Sequence, residues 1–579
     1  MRVNIVKSAN AQSFYIIKSI RLHGKSTSQI IEKLGTREEV IQKANGQDPL
    51  EWANQRATYL TELDQQNKKE IRVSFSNHKL IDLETRSSLN VGYLFLKKIY
   101  HELKLDQLCA SIAKQSKIEF DLNGILASLL YARILYPASK LSSFESSKKF
   151  LETQTFDLHH VYRALDVLAK NNDLIQQHLY QASRTILHRN STVLYYDCTN
   201  FFFEIEEARG LKQYGKSKEN RPNPIIQMGL FLDGNGIPLA FDLTAGNTNE
   251  QTTLQPLEQR ILSEFELSKF VVCTDAGLSS KSNRLYNSAA NRAYVTVQSL
   301  KKLKEHLRTW ALDPQGWQLL GASRTIHLSE IEIENNKSIY YKERWIHENG
   351  IEERLIVTFS PKHKVYQDAI RNAQIERALK QIEGGKPLRK NKNQNDSARF
   401  IQTLHTTPQG EVAQQTHFSL DESMIQNERQ FDGFYGVVTN LEDKVDEIIK
   451  INQRRWEIEE SFRIMKSEFK ARPIYLQNDS RIEAHFLTCF MALTLFRILE
   501  KRLNEAYTVE TLIKTLKEMD VHPLRGYGYL PLFQRTVLTD TLQAAFEFQL
   551  STEIIDLDTM KKNKQISKKR KTLRTSEHI

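Results

Sequence analysis

The sequence has little of what staples or anchors a protein. Its four cysteines in 579 residues, Cys109, Cys198, Cys273 and Cys489, are far apart and show no paired spacing. That argues against a disulfide framework or a zinc site and fits a reducing compartment. No apolar stretch follows the opening MRVNIVKSANAQ, so no signal peptide is expected. The longest apolar run, around Phe486 to Leu499, is shorter than the ~20 residues a bilayer requires and contains Arg497. No internal repeat is apparent. The expectation is a cytoplasmic chain without a membrane span.

What is present is a globular composition, 40% hydrophobic and 26% charged, at a length that suggests about three or four domains. The formal charge is +11, but from Lys561 to Ile579 eight Lys or Arg face one Glu, so +7 of it sits in the tail. A tail of that kind is expected to be disordered and drawn to polyanions.

Hydrophobic periodicity divides the rest. Residues 1–85 read as a small polar module with a helix at Thr27 to Leu34, a charged helical stretch at Glu51 to Glu70 and little strand signal. Residues 86–190 are strongly helical, with LNGILASLLYARIL and VYRALDVLAK the clearest segments, and form a possible DNA-end-binding region or a plain scaffold. At Thr192 the period changes. TVLYYD, IIQMGLFLD and IPLAFDL read as three antiparallel strands, the last two joined by Gly234, Asn235 and Gly236. A helix at Glu250 to Leu267, the strand KFVVCTD and a strand at Ala293 to Val297 complete residues 191–299. Residues 300–430 read as a β-rich insertion, with strands at Ser338 to Trp345 and Arg354 to Phe359, a helix at Tyr366 to Ile382 and a loop at GGKPLRKNKNQND. Within 431–505, FYGVVTN is the strand that re-enters the core, followed by the helix Ile451 to Lys470 and an apolar helix. Residues 506–557 complete a helical C-terminal region before the basic tail at 558–579. The expected class is α/β, a ribonuclease H-like core interrupted by the insertion and preceded by helices.

Chemistry concentrates in three places. At about 100° per residue, Asn452, Arg455, Glu459 and Lys466 share one stripe of the helix Ile451 to Lys470, beside an apolar stripe of Ile451, Ile458, Phe462, Met465 and Phe469. Alone, such a helix is better explained by a solvated charged face. Asp197 and Asp275 each close a hydrophobic strand, where an Asp is commonly a turn former. Together, two strand-end carboxylates and one on a later helix can converge. Oxygen ligands suit Mg²⁺, and two ions about 4 Å apart can activate an attacking oxygen and stabilise a leaving one in phosphodiester chemistry. Cys198 and Cys273, near the aspartates, read as small buried hydrophobes.

These residues carry a resemblance. QRRWEIEESFRIMKS matches the Tyr-x2-Arg-x3-Glu-x6-Lys signature at Arg455, Glu459 and Lys466; YYDCTNFFFE and VVCTDAGLSS look like the two aspartate motifs, and GNTNE is also similar. From about Leu89 to Leu499 the chain resembles the DDE transposases of bacterial insertion sequences, in the insertion-sequence-four-like superfamily. The resemblance implies Asp197, Asp275 and Glu459 as catalytic, metal-holding residues, and Arg455, Lys466 and Asn452 as DNA contacts. The signature tyrosine is Asn452 here, which can hydrogen-bond a phosphate but cannot stack on a base. It further implies two Mg²⁺ ions with Mn²⁺ able to substitute, and double-stranded DNA as partner, both terminal inverted repeats and target. Cleavage at the element ends and strand transfer by a dimer in the nucleoid region of the bacterial cytoplasm would follow. A ribonuclease H-like nuclease without strand transfer and an inactive DNA-binding relative stay open. Lys212, Lys216 and Lys218 are secondary phosphate contacts, equally readable as a solvated loop. Trp310, Trp317 and Trp345 could stack on a flipped base but each reads better as core, as does His485, and Glu460 lies off the stripe.

Overall fold

The computed structural model describes all residues except 9–10, 23–24, 68–70, 72, 74, 79, 81–82, 84, 266, 268, 290–291, 323, 349, 385–395, 407–411 and 571–579. The chain divides into two compact units, Met1–Thr85 and Arg86–Ile579.

The first unit is an antiparallel sheet of β1 (Arg2–Ser8), β2 (Ala11–Leu22) and β3 (Lys25–Thr36), followed by α1 (Arg37–Ala44) and α2 (Pro49–Asn67). Phe14, Ile16 and Leu34 pack against Val40, Ala53 and Ala57. A capping box between Thr36 and Glu39 turns the last strand into α1. The helix expected at Thr27 to Leu34 is therefore strand β3. Ile30, Ile31 and Leu34 satisfy helical spacing, while register shifts at Phe14/Tyr15 and Ile16/Ile17 break the alternation that would have marked the sheet.

The second unit opens with β4 (Leu89–Asn90) and six helices: α3 (Tyr93–Glu102), α4 (Leu105–Gln115), α5 (Leu122–Leu135), α6 (Lys140–Ser147), α7 (Leu158–Lys170) and α8 (Asn172–Ser183). Then come β5 (Val193–Phe202), β6 (Ile225–Asp233), β7 (Pro238–Ala245), α9 (Leu254–Glu264), β8 (Val271–Thr274), α10 (Lys281–Asn287) and β9 (Ala293–Gln298). β5, β6 and β7 are antiparallel, and β5, β8 and β9 run parallel, in the spatial order β7-β6-β5-β8-β9. That order and direction is the ribonuclease H-like arrangement.

The sheet does not stop there. After α11 (Glu305–Leu312), strands β10 (Trp317–Leu319), β11 (Thr325–Ile326), β12 (Tyr340–Glu348) and β13 (Ile351–Phe359) join it, and one later strand brings it to ten. α12 (Pro361–Glu383), a separate hairpin of β14 (Ile401–Thr406) and β15 (Val412–Leu420), and α13 (Glu422–Arg429) precede β16 (Phe434–Thr439). β16 fills the place between β9 and β13. The strands expected as part of an insertion thus continue the core sheet; the expected Lys- and Asn-rich loop lies almost wholly outside the described residues.

α14 (Val445–Gln453), α15 (Trp456–Arg463) and α16 (Asp479–Arg502) follow. Successive side chains of β6 alternate between faces, so Met228 and Leu230 join the core around α16 while Phe231 joins Leu254, Leu257 and Ile261 of α9. Phe201 and Phe241 meet Phe486 and Phe490 of α16 at ring separations of 4.8 and 5.0 Å. α16 is long and apolar enough to cross a membrane by length and composition, and 94% of that window is buried inside the protein.

The C-terminal region expected to be helical is mixed. α17 (Val509–Glu518), β17 (Asp520–Leu524), β18 (Gly528–Pro531), α18 (Val537–Phe546) and β19 (Ile555–Asp556) form a layer whose sheet includes β4. The tail expected to be disordered from residue 558 begins as α19 (Leu557–Lys568), with Met560 and Asn563 buried and the Lys98 ammonium donating to Ile566 O at 3.2 Å. Net charge hid the buried stripe; residues 571–579 lie outside the described residues.

The turn between β6 and β7 touches α15. Gly236 has φ 75°, and a Cβ there would come within 1.5 Å of Glu457 Oε2. Gly236→Ala is expected to lower stability by at least about 1 kcal/mol, read as a drop in thermal midpoint. An unchanged midpoint would show that the turn does not constrain α15.

Candidate active site

Register brings the two aspartates together. The parallel pair β5/β8 runs from Val193↔Val271 to Tyr196↔Thr274, so Asp197 and Asp275 are the next residues on adjacent strands. Only Asp275 lies at a strand end, opening a 3-10 turn at Ala276–Leu278. Asp197, expected to close its strand, sits in the middle of β5, because β6 pairs with β5 as far as Phe202.

Asp197 accepts a hydrogen bond from the Cys198 N–H at 2.7 Å, and among the described residues no ion pair reaches it. Burial pushes its carboxyl up to about 6; Lys218 and the Cys198 N–H oppose the shift, and Asp275 adds to it. Lys218 donates to Cys198 O and pairs with Glu250 at 3.2 Å. Both neighbouring cysteines are buried, their thiols pushed up to about 12 by that burial, as expected of structural cysteines.

The helix expected to run unbroken from Ile451 to Lys470 is interrupted twice. α14 ends at Gln453, α15 begins at Trp456, and Ile464–Glu468 form a π turn in which Phe469 N–H donates to Ile464 O at 2.9 Å. Arg455 and Glu459 stay on one face: Arg455 Nη1 lies 2.9 Å from Glu459 Oε1 and 3.8 Å from Asp275 Oδ1. One guanidinium thus links the helix carboxylate to the strand carboxylate. Past the π turn, Lys466 Nζ donates to Thr199 Oγ1 at 2.6 Å, two residues along β5 from Asp197. Burial, then Lys218, pushes its ammonium down to about 8. Asn452 keeps a buried amide oxygen without a hydrogen-bond partner and faces Tyr435 of β16. Glu460 points away, paired with Arg463 at 2.6 Å.

Lys212 is buried, bound to Gln477 O at 3.1 Å, whereas Lys216 is exposed. Trp317 is fully buried, Trp310 lies under Lys342, and Trp345 is 46% exposed. His485 is buried, its Nε2 3.0 Å from Ala471 O. Sequence reasoning missed Tyr435, Glu219 and Arg472. Glu219 pairs with Arg472 and lies 3.6 Å from Lys466, and the Arg221 and Arg472 guanidinium groups lie 4.1 and 5.7 Å from the Phe202 ring centre. No sequence spacing links residues so far apart.

Asp197, Asp275 and Glu459 offer oxygen donors only, the set a hard divalent cation takes, and the buried Asp197 carboxyl stays raised despite the charges of Lys218 and Arg455, which leaves room for a further cation. Their oxygens are not gathered within 4.8 Å of one another; among the described residues that spacing is met by Asp157, His159 and His160, where Asp157 and His160 form the capping box of α7.

The Transposase DDE domain model matches residues 201–495, from β5 through α16, beginning four residues after Asp197. No curated protein matches the chain. Among solved structures, the chain is similar to piggyBac transposase in a synaptic complex with hairpin DNA, at 8% identity and a TM-score of 0.36 over 85% of this chain and 90% of that one. It is also similar to Mos1 transposase in a paired-end complex with the left transposon end, at 12% identity and a TM-score of 0.14 over 45% of this chain and 71% of that one. At those scores neither likeness bears on the geometry of the site. The family match spans just over half of the chain, and on that ground the chain belongs to the family of DDE-domain transposases.

Proposed function

We propose that this chain is a metal-dependent transposase of the insertion-sequence-four-like group, which cleaves DNA strands at the ends of its element and joins the freed 3′-hydroxyls to target DNA. The observation that carries the reading is the junction of Asp197, Asp275 and Glu459, two of them adjacent by strand register and the third tied to Asp275 through Arg455. These three would hold two Mg²⁺ ions, or Mn²⁺ in their place. When bound, such ions supply an activated attacking oxygen and a stabilised leaving oxygen.

The chain's own residues do the positioning. Arg455 orients Glu459 toward the aspartates and has a buried Nε without a partner. Lys466, anchored on Thr199, presents positive charge beside Asp197, where a strand phosphate would lie. Asn452 supplies an amide that can hydrogen-bond a phosphate. Residues 86–190 are a proposed platform for the terminal inverted repeats, and pairing two ends requires a dimer in the working complex. The expected setting is the bacterial cytoplasm.

The test uses the full chain, element-end duplex and a supercoiled target plasmid. Joined products are expected with Mg²⁺ or Mn²⁺ and none with EDTA. Nicking of end DNA with no joining of pre-cut ends would replace the reading with a nuclease.

A further inference from the structure

Arg472 has two sides. One meets Glu219, next to Lys466; the other lines a cavity of about 530 Å³ between the helical layer and the segment after the π turn. Its basic lining consists of Arg133, Lys140, Lys470, Arg472 and His485, and among the described residues no carboxylate lines it.

Lys140 is the unusual member. It opens α6, is only 4% exposed, and its Nζ has no hydrogen-bond partner. Burial, reinforced by Arg133, pushes its ammonium down to about 7. A buried donor without an acceptor is costly, and a buried unpaired charge more so. No neighbour relieves it. Arg133 spends Nη1 on Phe469 O at 3.1 Å and Nη2 on Ala138 O at 3.3 Å, and its Nε is also buried without a partner. His485 is held by Ala471 O, and burial keeps its basicity well below the usual range. What is missing is an acceptor carrying negative charge. A lone carboxylate would leave several of these donors unmet, whereas a phosphate group offers acceptor oxygens on several sides. Beside the cations, the lining includes the rings of Tyr162, Pro473 and Tyr475, Tyr475 being 66% exposed. Such rings suit the sugar or base attached to a phosphate.

We propose that this cavity is a phosphate-binding pocket, with Lys140 as its buried donor, that takes a backbone phosphate of the DNA strand running past Arg472. The strand as source rests on the transposase reading; the phosphate chemistry of the pocket does not.

Inorganic phosphate is the first probe, added to the full chain at constant ionic strength. Phosphate is expected to raise the thermal midpoint of the parent and leave that of Lys140→Met unmoved. Methionine fills the space of the lysine stem without its ammonium, so the variant should be at least as stable as the parent in phosphate-free buffer. Should it fail to fold, Lys470→Gln, an exposed change, is expected to weaken phosphate affinity several-fold. No phosphate shift in the parent, or an equal shift in Lys140→Met, overturns the pocket. The second probe is a short element-end duplex over a salt series. Removal of one phosphate contact should lower the slope of log affinity on log salt by about 1. A phosphate shift with an unchanged slope overturns the DNA source in favour of free phosphate. Asp197→Asn should retain both signals, so failure of the catalytic assignment is distinguishable from failure of the pocket.

Discussion

Asp197→Asn is expected to abolish strand cleavage while leaving the protein at least as stable as the parent. The two halves have one cause. Burial works against the Asp197 charge, as its raised carboxyl shows, so a neutral amide of the same shape removes an unfavourable desolvated charge. The same amide is a poor ligand for a divalent cation, and several kcal/mol of charge stabilisation correspond to about a thousandfold in rate. Cleavage of labelled end DNA and the thermal midpoint, measured on the same sample, check both halves. Glu460→Gln is the matched control: Glu460 is committed to Arg463, so cleavage should persist. Loss of cleavage in Glu460→Gln with retention in Glu459→Gln would reassign the helix carboxylate.

Arg497→Ala is expected to have the largest effect on stability. Its guanidinium, buried in α16, donates to Glu457 O and to Ser461 Oγ, each at 3.1 Å, and pairs with Glu500 at 3.0 Å. It is a buried polar tie between the core helix and the helix that carries Glu459. Truncation leaves the buried Glu500 carboxylate without its partner and removes one donor from Glu457 O, which keeps only the Ser461 hydroxyl at 2.8 Å; a stranded buried charge costs about 3–5 kcal/mol. Replacing both members, Arg497→Met with Glu500→Leu, should recover most of the loss, because no charge is then stranded. Denaturant unfolding of the two variants decides. If the double variant is no more stable than Arg497→Ala, the penalty comes from lost packing and not from the unpaired charge.

Much of the core was legible because it is periodic. IIQMGLFLD and KFVVCTD read as strands, and the spacing of Arg455 and Glu459 survived the first helix interruption, which keeps them an ordinary turn apart. What failed depended on partners. Asp197 looked like a strand end because polar residues follow it, but β6 pairs with β5 past that point. β3 looked helical because two register shifts in the sheet erase its alternation. α19 was hidden under its own lysines. Glu219, Arg472 and Lys140 could not be found at all, since each acquires its meaning from residues distant along the chain.

The path of the ten-stranded sheet has a mechanical consequence. β16 is chained to β9 on one side and to β13 on the other, so strands β10 to β13 are cantilevered from the same beam whose β8 ends at Asp275. A domain hung on two linkers would swivel and absorb a load; a cantilever transmits it. Trp345 on β12 is joined through the pairs β12/β13, β13/β16, β16/β9 and β9/β8 to the strand after which Asp275 stands.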